Sequence, residues 1–434
     1  MQNLRIWNYL SLPWLLFTMI FFIGFFILAF SNEIDPKILS NNYLKKLFFN
    51  TILLSFSSAI LSALIAVPLA ILVTFYKFPG QKFFSWGLSL SIAFPAYVYA
   101  FIFVGIFEYS SPVSEYLRSI NINLPSIKNL FGASIIMSMA LFPYIFLLTK
   151  AQLSSVGVNI FKAAKSLGNN NSTAIYKVII PSLKPSILAG MALVIFETIA
   201  DFGGVSTLRV ETFTVGIYDA WFGYQSYFSA ARLAGYLLIF VFFVIFISKY
   251  FGHRYNSLAP KTAEKFEKLN LSTGKQFLVT SLCILIFGLV FCVPFFQLIF
   301  WHFENIEFSL VKNLSLLYNS LIIGICAAIV TVFFATSLSL SHRGTKKLRP
   351  MILISSSGYA IPGSVIAAGL LIVFVTTFNT SITLYGLFGL LLCLSLRFMT
   401  PAFNYISSSL DNIPQSSEKA LSTKPNNPYK AFTL

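Results

Sequence analysis

An all-α integral membrane protein is the fold class this sequence predicts, and three observations predict it. Of 434 residues, 57% are hydrophobic and only 10% are charged, with a mean hydropathy of +0.79, far more apolar than soluble domains. About ten apolar runs reach the roughly 20 residues that cross a bilayer. The basic excess, 30 Lys and Arg against 14 Asp and Glu, falls unevenly between the loops. This composition excludes a secreted disulfide scaffold, a disordered chain and a nucleic-acid-binding domain, so no nucleic acid partner is expected.

The runs, each bounded by charge, Pro or Asn clusters, cover residues 12–30, 47–75, 83–107, 130–148, 187–203 and 233–251, then 277–300, 316–340, 351–378 and 382–396. The first has one preceding charge, Arg5, and no small-residue cleavage pattern, so it is expected to stay as an uncleaved helix. Residues 252–275 mix Lys261, Lys265 and Lys268 with Glu264 and Glu267 and carry Pro260 and Gly274, as a solvated connector does. The expected organisation is therefore a first half, 1–251, with six spans, a cytoplasmic linker, 252–275, and a second half, 276–434, with four. With the N-terminus in the cytoplasm, and with Lys249, Glu197 and Asp201 counted with the loops their runs end in, 22 of the 30 basic residues lie inside, whereas 10 of the 14 acidic residues lie outside. The positive-inside rule favours that orientation and makes the basic excess a topology signal. Lys150, Lys162, Lys165, Lys177 and Lys184 crowd one inside loop without an acid. The sequon Asn171-Ser172-Thr173 falls in that loop and carries no expectation of glycosylation.

Cys283, Cys292, Cys326 and Cys393 each sit inside an apolar run, and His253, His302 and His342 lie in separate polar segments. None has metal-ligand spacing, so no metal site is expected. The segment Ser272-Thr273-Gly274-Lys275-Gln276 lacks both the earlier glycine and the following hydroxyl of a phosphate-binding loop. Catalysis by this chain is not expected, nor is a directly bound cofactor.

The two halves repeat. Asn50-Thr51-Ile52-Leu53-Leu54 is matched by Asn319-Ser320-Leu321-Ile322-Ile323 at an offset of 269, and Ala93-Phe94-Pro95-Ala96-Tyr97-Val98 by Ala360-Ile361-Pro362-Gly363-Ser364-Val365 at an offset of 267. Such internal repeats are common in transporters. The recurring mid-span proline frees a carbonyl and kinks a helix, either to shape a pathway or only to pack it.

The basic loop reads Lys162-Ala163-Ala164-Lys165-Ser166-Leu167-Gly168, and thirteen residues after the glycine Val178-Ile179-Ile180 leads into Pro181. This resembles the coupling-loop signature of binding-protein-dependent ABC importer permeases: Glu-Ala-Ala, three residues, Gly, then a hydrophobic-Leu-Pro ending. Lys162 stands where that family has Glu, and Ile180 where it has Leu. A short helix with small residues suits a groove on a cytoplasmic ATPase, and a glycine after it lets the chain turn. A degenerate copy runs from Lys419-Ala420-Leu421 to Lys430-Ala431-Phe432, where Ala431 and Phe432 match Ala174 and Ile175 and Pro425 replaces the glycine. The blocks Phe196-Glu197-Thr198-Ile199-Ala200-Asp201-Phe202-Gly203-Gly204-Val205 and Thr212 to Gly223 look like those of fused, two-half ferric-iron importer permeases.

The resemblance implies a MetI-like permease fold in the bacterial inner membrane, with cytoplasmic ATPase subunits that hydrolyse the ATP and a periplasmic substrate-binding protein. Lys162, Ala163, Ala164, Gly168, Pro181, Ala420 and Ala431 become the coupling-loop residues. Ferric iron is the implied substrate, although thiamine, putrescine and other small-solute permeases share the fold. Full-length relatives continue with two further spans, so the chain is expected to be truncated and unable to transport alone. Glu197 and Asp201 share a helical face and, with Tyr218, offer the oxygen ligands that hard trivalent iron favours. The same carboxylates also suit helix capping or an outer-interface position. An ion-coupled secondary transporter usually places several charges inside its spans, and a membrane enzyme needs a titratable cluster there. Beyond Glu197 and Asp201 the runs are nearly uncharged.

Overall fold

The computed structural model describes residues 2–31, 39–154, 158–252, 268–304, 310–345, 347–378 and 382–411. The first-half helices in chain order are α1 (Gln2–Ser31), α2 (Asn41–Phe75), α3 (Gln81–Gly87), α4 (Ala96–Phe107), α5 (Pro112–Ser119), α6 (Leu130–Gln152), α7 (Val158–Ser166), α8 (Asn171–Thr173), α9 (Ile180–Ser182), α10 (Lys184–Ala200), α11 (Gly203–Thr207), α12 (Phe213–Tyr218) and α13 (Tyr227–Gly252). The second half supplies α14 (Thr273–Phe287), α15 (Val293–Glu304), α16 (Leu310–Gly344), α17 (Arg349–Ser355), α18 (Gly363–Phe378) and α19 (Ile382–Asp411). A two-residue parallel ladder pairs β1 (Tyr76–Lys77) with β2 (Leu269–Asn270), so the chain emerging from the linker region returns to the end of α2.

Eight helices among the described residues are long and apolar enough to cross a membrane, and nine if Ala174–Ser182 and α10, bent by 54°, count as one. Of the ten or so runs expected, the one at 351–378 is not among these nine. The run at 351–378 is split into α17, a 3-10 turn over Gly358–Ala360, and α18, with Pro362 at the break. The run at 83–107 is split in the same way into α3, a 3-10 turn over Leu88–Ala93, and α4, with Pro95 at the break, and the candidate crossing segment becomes Ala96–Ser119. Proline has no N–H to donate and pushes the residue before it into extended backbone, as at Phe94 (ψ 119°) and Ile361 (ψ 125°). The repeated proline therefore ends a helix instead of kinking one. At the first break the buried Tyr99 hydroxyl donates toward the carbonyls of Ser91 and Val290, which in a bilayer have no water to turn to.

One compact unit comprises Leu39–Asp219 and Ile239–Phe308. Its centre is α2, α6 and α10. Ser55, Ser58, Ala59, Ser62 and Ala66 of α2 are fully buried, and this small-residue face admits α6 closely enough for Ser57 Oγ and Ser134 Oγ to lie 2.6 Å apart. Gly190 does the same for α10, because a Cβ there would stand 2.8 Å from the Ile145 Cα. Against α3 and α4 lie α14 and α15, through Phe83 on Phe287 at 5.1 Å and Phe101 on Trp301 at 5.3 Å.

The other unit comprises Met1–Ile38, Ala220–Leu238 and Ser309–Leu434. Here α1 packs on α16, α17 and α18. Trp14 stacks on Phe334 at 5.0 Å, Thr18 Oγ1 and Ser355 Oγ are 2.5 Å apart, and a Cβ on Gly369 would meet Phe21 and Phe25 at 2.9 Å. Gly358 sits so close to α19 that a Cβ there would collide with the Leu396 carbonyl. The leading span of each half of the sequence, α1 in the first and α14 with α15 in the second, thus belongs to the compact unit built mainly from the other half.

Candidate functional site

The loop with the basic crowd folds as a helical hairpin at the end of α2. Within α7, Phe161 and Ala164 are buried whereas Lys162, Ala163 and Lys165 are exposed. The buried pair is set by Phe161, whose ring lies 5.2 Å from that of Phe75, the last residue of α2. The helix ends in a glycine cap of the Schellman type. Gly168 adopts φ +85°, its N–H donates to Lys165 O at 3.0 Å, and the Asn169 N–H reaches Ala164 O at 3.3 Å. A Cβ on Gly168 would meet nothing within 4 Å; torsion alone reserves the position for glycine.

Asn170 then caps the returning strand of the hairpin, its Oδ1 accepting from Thr173 N at 2.7 Å. The following residues Ala174–Ile179 are π-helical. Pro181 comes next and offers no N–H to Lys177, which accounts for the widened turn. Ala174, Ile175 and Ile179 are buried; Tyr176, Lys177 and Pro181 are exposed. Phe161 on Phe75 sets the hairpin against the α2 terminus, where burial first, and then Tyr176, raise the Tyr76 phenol above its ordinary value. Gln152 Nε2 ties the end of α6 to Ser182 O at 2.7 Å. The exposed rim of α7 is therefore Lys162, Ala163, Lys165 and the 82% exposed Leu167. Sequence reasoning gave Leu167 no role; the signal was an apolar residue directly before the turn glycine. Ala164 faces inward, so of the two alanines only Ala163 lies on the accessible face. Ala420 and Ala431 lie outside the described residues.

At the other end of α10, Glu197 is half-buried and Asp201 follows the helix as its C-cap. Asp201 Oδ2 accepts from Val205 N at 2.9 Å, and Asp201 O accepts from Thr214 Oγ1 at 2.7 Å. The carboxylate thus caps α11, and its backbone anchors the start of α12. Phe202 brings Tyr218 in, with rings 4.6 Å apart, and Tyr218 is 44% exposed. The head of α2 clamps the intervening loop: Asn50 Nδ2 donates to Glu211 O at 2.9 Å, Thr51 Oγ1 accepts from Phe213 N at 3.1 Å, and Lys46 pairs with Glu211 at 2.8 Å. Two carboxylates that the sequence reading did not weigh stand here, Glu211 and Asp219. Burial first, and then Glu211, raise the Asp219 carboxyl above its ordinary value. Among the described residues no three His, Cys, Asp or Glu side chains gather as a resident metal site does.

Residues 66–257, which take in α6, the hairpin and α10, match the family described as binding-protein-dependent transport system inner membrane component. The chain is 25% identical over 401 residues to the Fe(3+)-transport system permease protein FbpB 2 of Haemophilus influenzae, covering 89% of this chain and 74% of that protein. It is 24% identical over 380 residues to a putative ferric transport system permease protein, FbpB 1, of the same organism, covering 80% and 58%. Similarity extends to the sulfate transport system permease protein CysT of Escherichia coli, 24% over 169 residues, covering 39% and 60%.

Proposed function

We propose, from the match of residues 66–257 to the inner membrane components of binding-protein-dependent transport systems, that the chain is the permease of an ABC importer that carries ferric iron across a bacterial inner membrane. ATP is hydrolysed by cytoplasmic partner subunits, a periplasmic binding protein delivers the ion, and the N-terminus lies in the cytoplasm. The observation that carries this reading is the hairpin. A glycine-capped helix buries Phe161 and Ala164 on its own protein and turns Lys162, Ala163, Lys165 and Leu167 outward, which suits insertion into a groove on an ATPase.

Ferric iron is favoured over other solutes by the extent of similarity, which covers 89% of the chain for one ferric relative against 39% for the sulfate relative. The chemistry at the end of α10 supports the same choice. Glu197, Asp201, Glu211, Asp219 and the phenol of Tyr218 are oxygen donors suited to a hard cation, whereas a sulfate path calls for N–H donors and cations. Within this reading Glu197 and Tyr218 are the donors along the ion's path, and Asp201 holds the turn that presents them. A sulfate-carrying permease is the second reading, resting on the sulfate relative.

Uptake by cells that make the chain with its ATPase and binding-protein partners tests both. Radiolabelled ferric iron is expected to enter in an ATP-dependent manner, with Glu197→Gln lowering the rate and labelled sulfate excluded. Sulfate entry without iron entry transfers the assignment to the second reading. Iron entry that persists with a catalytically dead ATPase removes the ABC assignment.

A further inference from the structure

The end of α2 that holds the hairpin also gathers three cations that the transport reading does not use. Lys82 is exposed on α3. Lys150, in the last turn of α6, donates from Nζ to Ser85 O of α3. Lys268, just before β2, points its Nζ at Val73 O, 3.5 Å away, in the last turns of α2. Gln81 Nε2 donates to the same Val73 carbonyl, and the β1–β2 ladder fixes the backbone beside Lys268. The ammonium groups of Lys150 and Lys268 are thus drawn inward onto α2 and α3 against their mutual repulsion. Ordinary topology lysines extend away into water. Burial first, then Lys150 and Lys82, hold the Lys268 ammonium below its ordinary value. Lys46 pairs with Glu211 and Lys128 with Glu108, and neither pair involves this cluster.

The depth of the cluster is fixed by aromatic residues. On α3, Trp86 is 54% exposed and Phe83 37% exposed, beside Lys82 and Ser85. The rings of Phe83 and Trp86 are 5.3 Å apart, and Phe83 leans on Phe287 of the neighbouring span at 5.1 Å. Lys82 and Trp86 are four residues apart on α3 and so share a helical face, the pairing of an aromatic ring with a lysine that suits headgroup level, where aromatic belts form. Compact ammonium groups converging at that level match the charge of a phosphate group.

We propose that Lys82, Lys150 and Lys268 form a binding site for a phosphate group, supplied by the headgroup of an anionic phospholipid in the leaflet next to the hairpin. The site goes beyond the transport reading and is independent of what the chain carries. The lysines supply charge, Trp86 and Phe83 supply the acyl-chain boundary, and bound lipid fastens α3, α6 and the returning chain to one another.

Native mass spectrometry of the full chain in detergent tests this, with phosphatidylglycerol and phosphatidylcholine added in turn. Phosphatidylglycerol is expected to be retained preferentially. Each lysine at a membrane surface contributes on the scale of a five-fold change in binding, so Lys82→Gln with Lys268→Gln is expected to weaken phosphatidylglycerol binding by about thirty-fold. Lys45→Gln with Lys347→Gln, which removes an exposed lysine at the other end of α2 and one in the other compact unit, is expected to leave it unchanged. The single exposed change Lys82→Gln, about five-fold, guards against misfolding of the double variant. Competition with inorganic phosphate separates the sources: no displacement assigns the site to lipid, and full displacement assigns it to free phosphate. Equal retention of the two lipids, or phosphatidylglycerol binding untouched by the Lys82 and Lys268 changes, overturns the proposal.

Discussion

Substituting Gly168 isolates the contribution of the hairpin's turn. The residue has φ +85°, and a Cβ there finds open space, so a side chain meets no steric contact and the penalty is torsional. For an L residue in the left-handed region that penalty is about 1–2 kcal/mol, less for Asn and more for a β-branched residue. Such a penalty lowers the population of the turned conformer by about 5–30-fold. The chain then loses the bonds from Gly168 N to Lys165 O and from Asn169 N to Ala164 O, and Leu167 leaves its place beside Ala163. Gly168→Val is expected to weaken docking of the ATPase subunits by that factor, while Gly168→Asn stays close to the unsubstituted protein. Titrating ATPase subunits onto the full chain in nanodiscs, with stimulated ATP hydrolysis as the second readout, measures both. If Val and Asn dock equally well, the turn does not govern coupling and the torsional reasoning fails.

Leu167→Asp is expected to abolish co-purification of the ATPase with no change in thermal stability, because the 82% exposed side chain supports nothing within the chain; a lowered unfolding midpoint contradicts this. Gly190→Ala puts a Cβ 2.8 Å from the Ile145 Cα and is expected to destabilise by about 1–3 kcal/mol, the usual range for overpacking, read as a drop in the unfolding midpoint in detergent. An unchanged midpoint means that α6 and α10 do not pack there. Asp219→Asn follows a pH sign. The folded carboxyl is raised above its ordinary value, so the ionised form disfavours the fold at neutral pH, and the penalty fades as pH falls through the raised pKa. The variant is expected to be more stable than the parent at pH 7.5 and no more stable below the ordinary value of 3.8; equal stability at both pH values removes the claim.

Span positions were legible in the sequence because the bilayer imposes a length and excludes charge, and both constraints act on local composition. The breaks at Pro95 and Pro362 were legible only as places where a helix is disturbed. Proline alone permits either a kink or an interruption. What sustains the interruption at Pro95 is the Tyr99 hydroxyl, which serves Ser91 O and also Val290 O, 191 residues away in sequence. No local pattern carries that partner. The exchange of leading spans was equally hidden. Helices such as α1 and α2 are apolar all round, and uniform hydrophobicity does not say which neighbour a helix meets. Trp14 on Phe334 and Phe83 on Phe287 decide it by shape.

The hairpin was more legible, since a glycine and a proline at fixed spacing dictate backbone torsion wherever they stand. The choice between Ala163 and Ala164 was not, because two alanines differ only in which side the Phe161 ring turns to Phe75. The repeated Asn50-Thr51 pair shows how the two ends of the first half are joined. Read as sequence, it marks only self-similarity. In the structure Asn50 and Thr51 grip the backbone of Glu211 and Phe213 at the head of α2, while Phe75 holds the hairpin at its foot. From Thr51 to Phe75 the helix runs roughly 36 Å at 1.5 Å per residue, and its buried serine and alanine face locks it to α6 along that length. The hairpin and the loop leading to Tyr218 and Asp219 thus meet opposite ends of one helix, the arrangement that coupling between Leu167 and the far end of α10 requires; a demonstrated two-state displacement of α2 is the physical test of it.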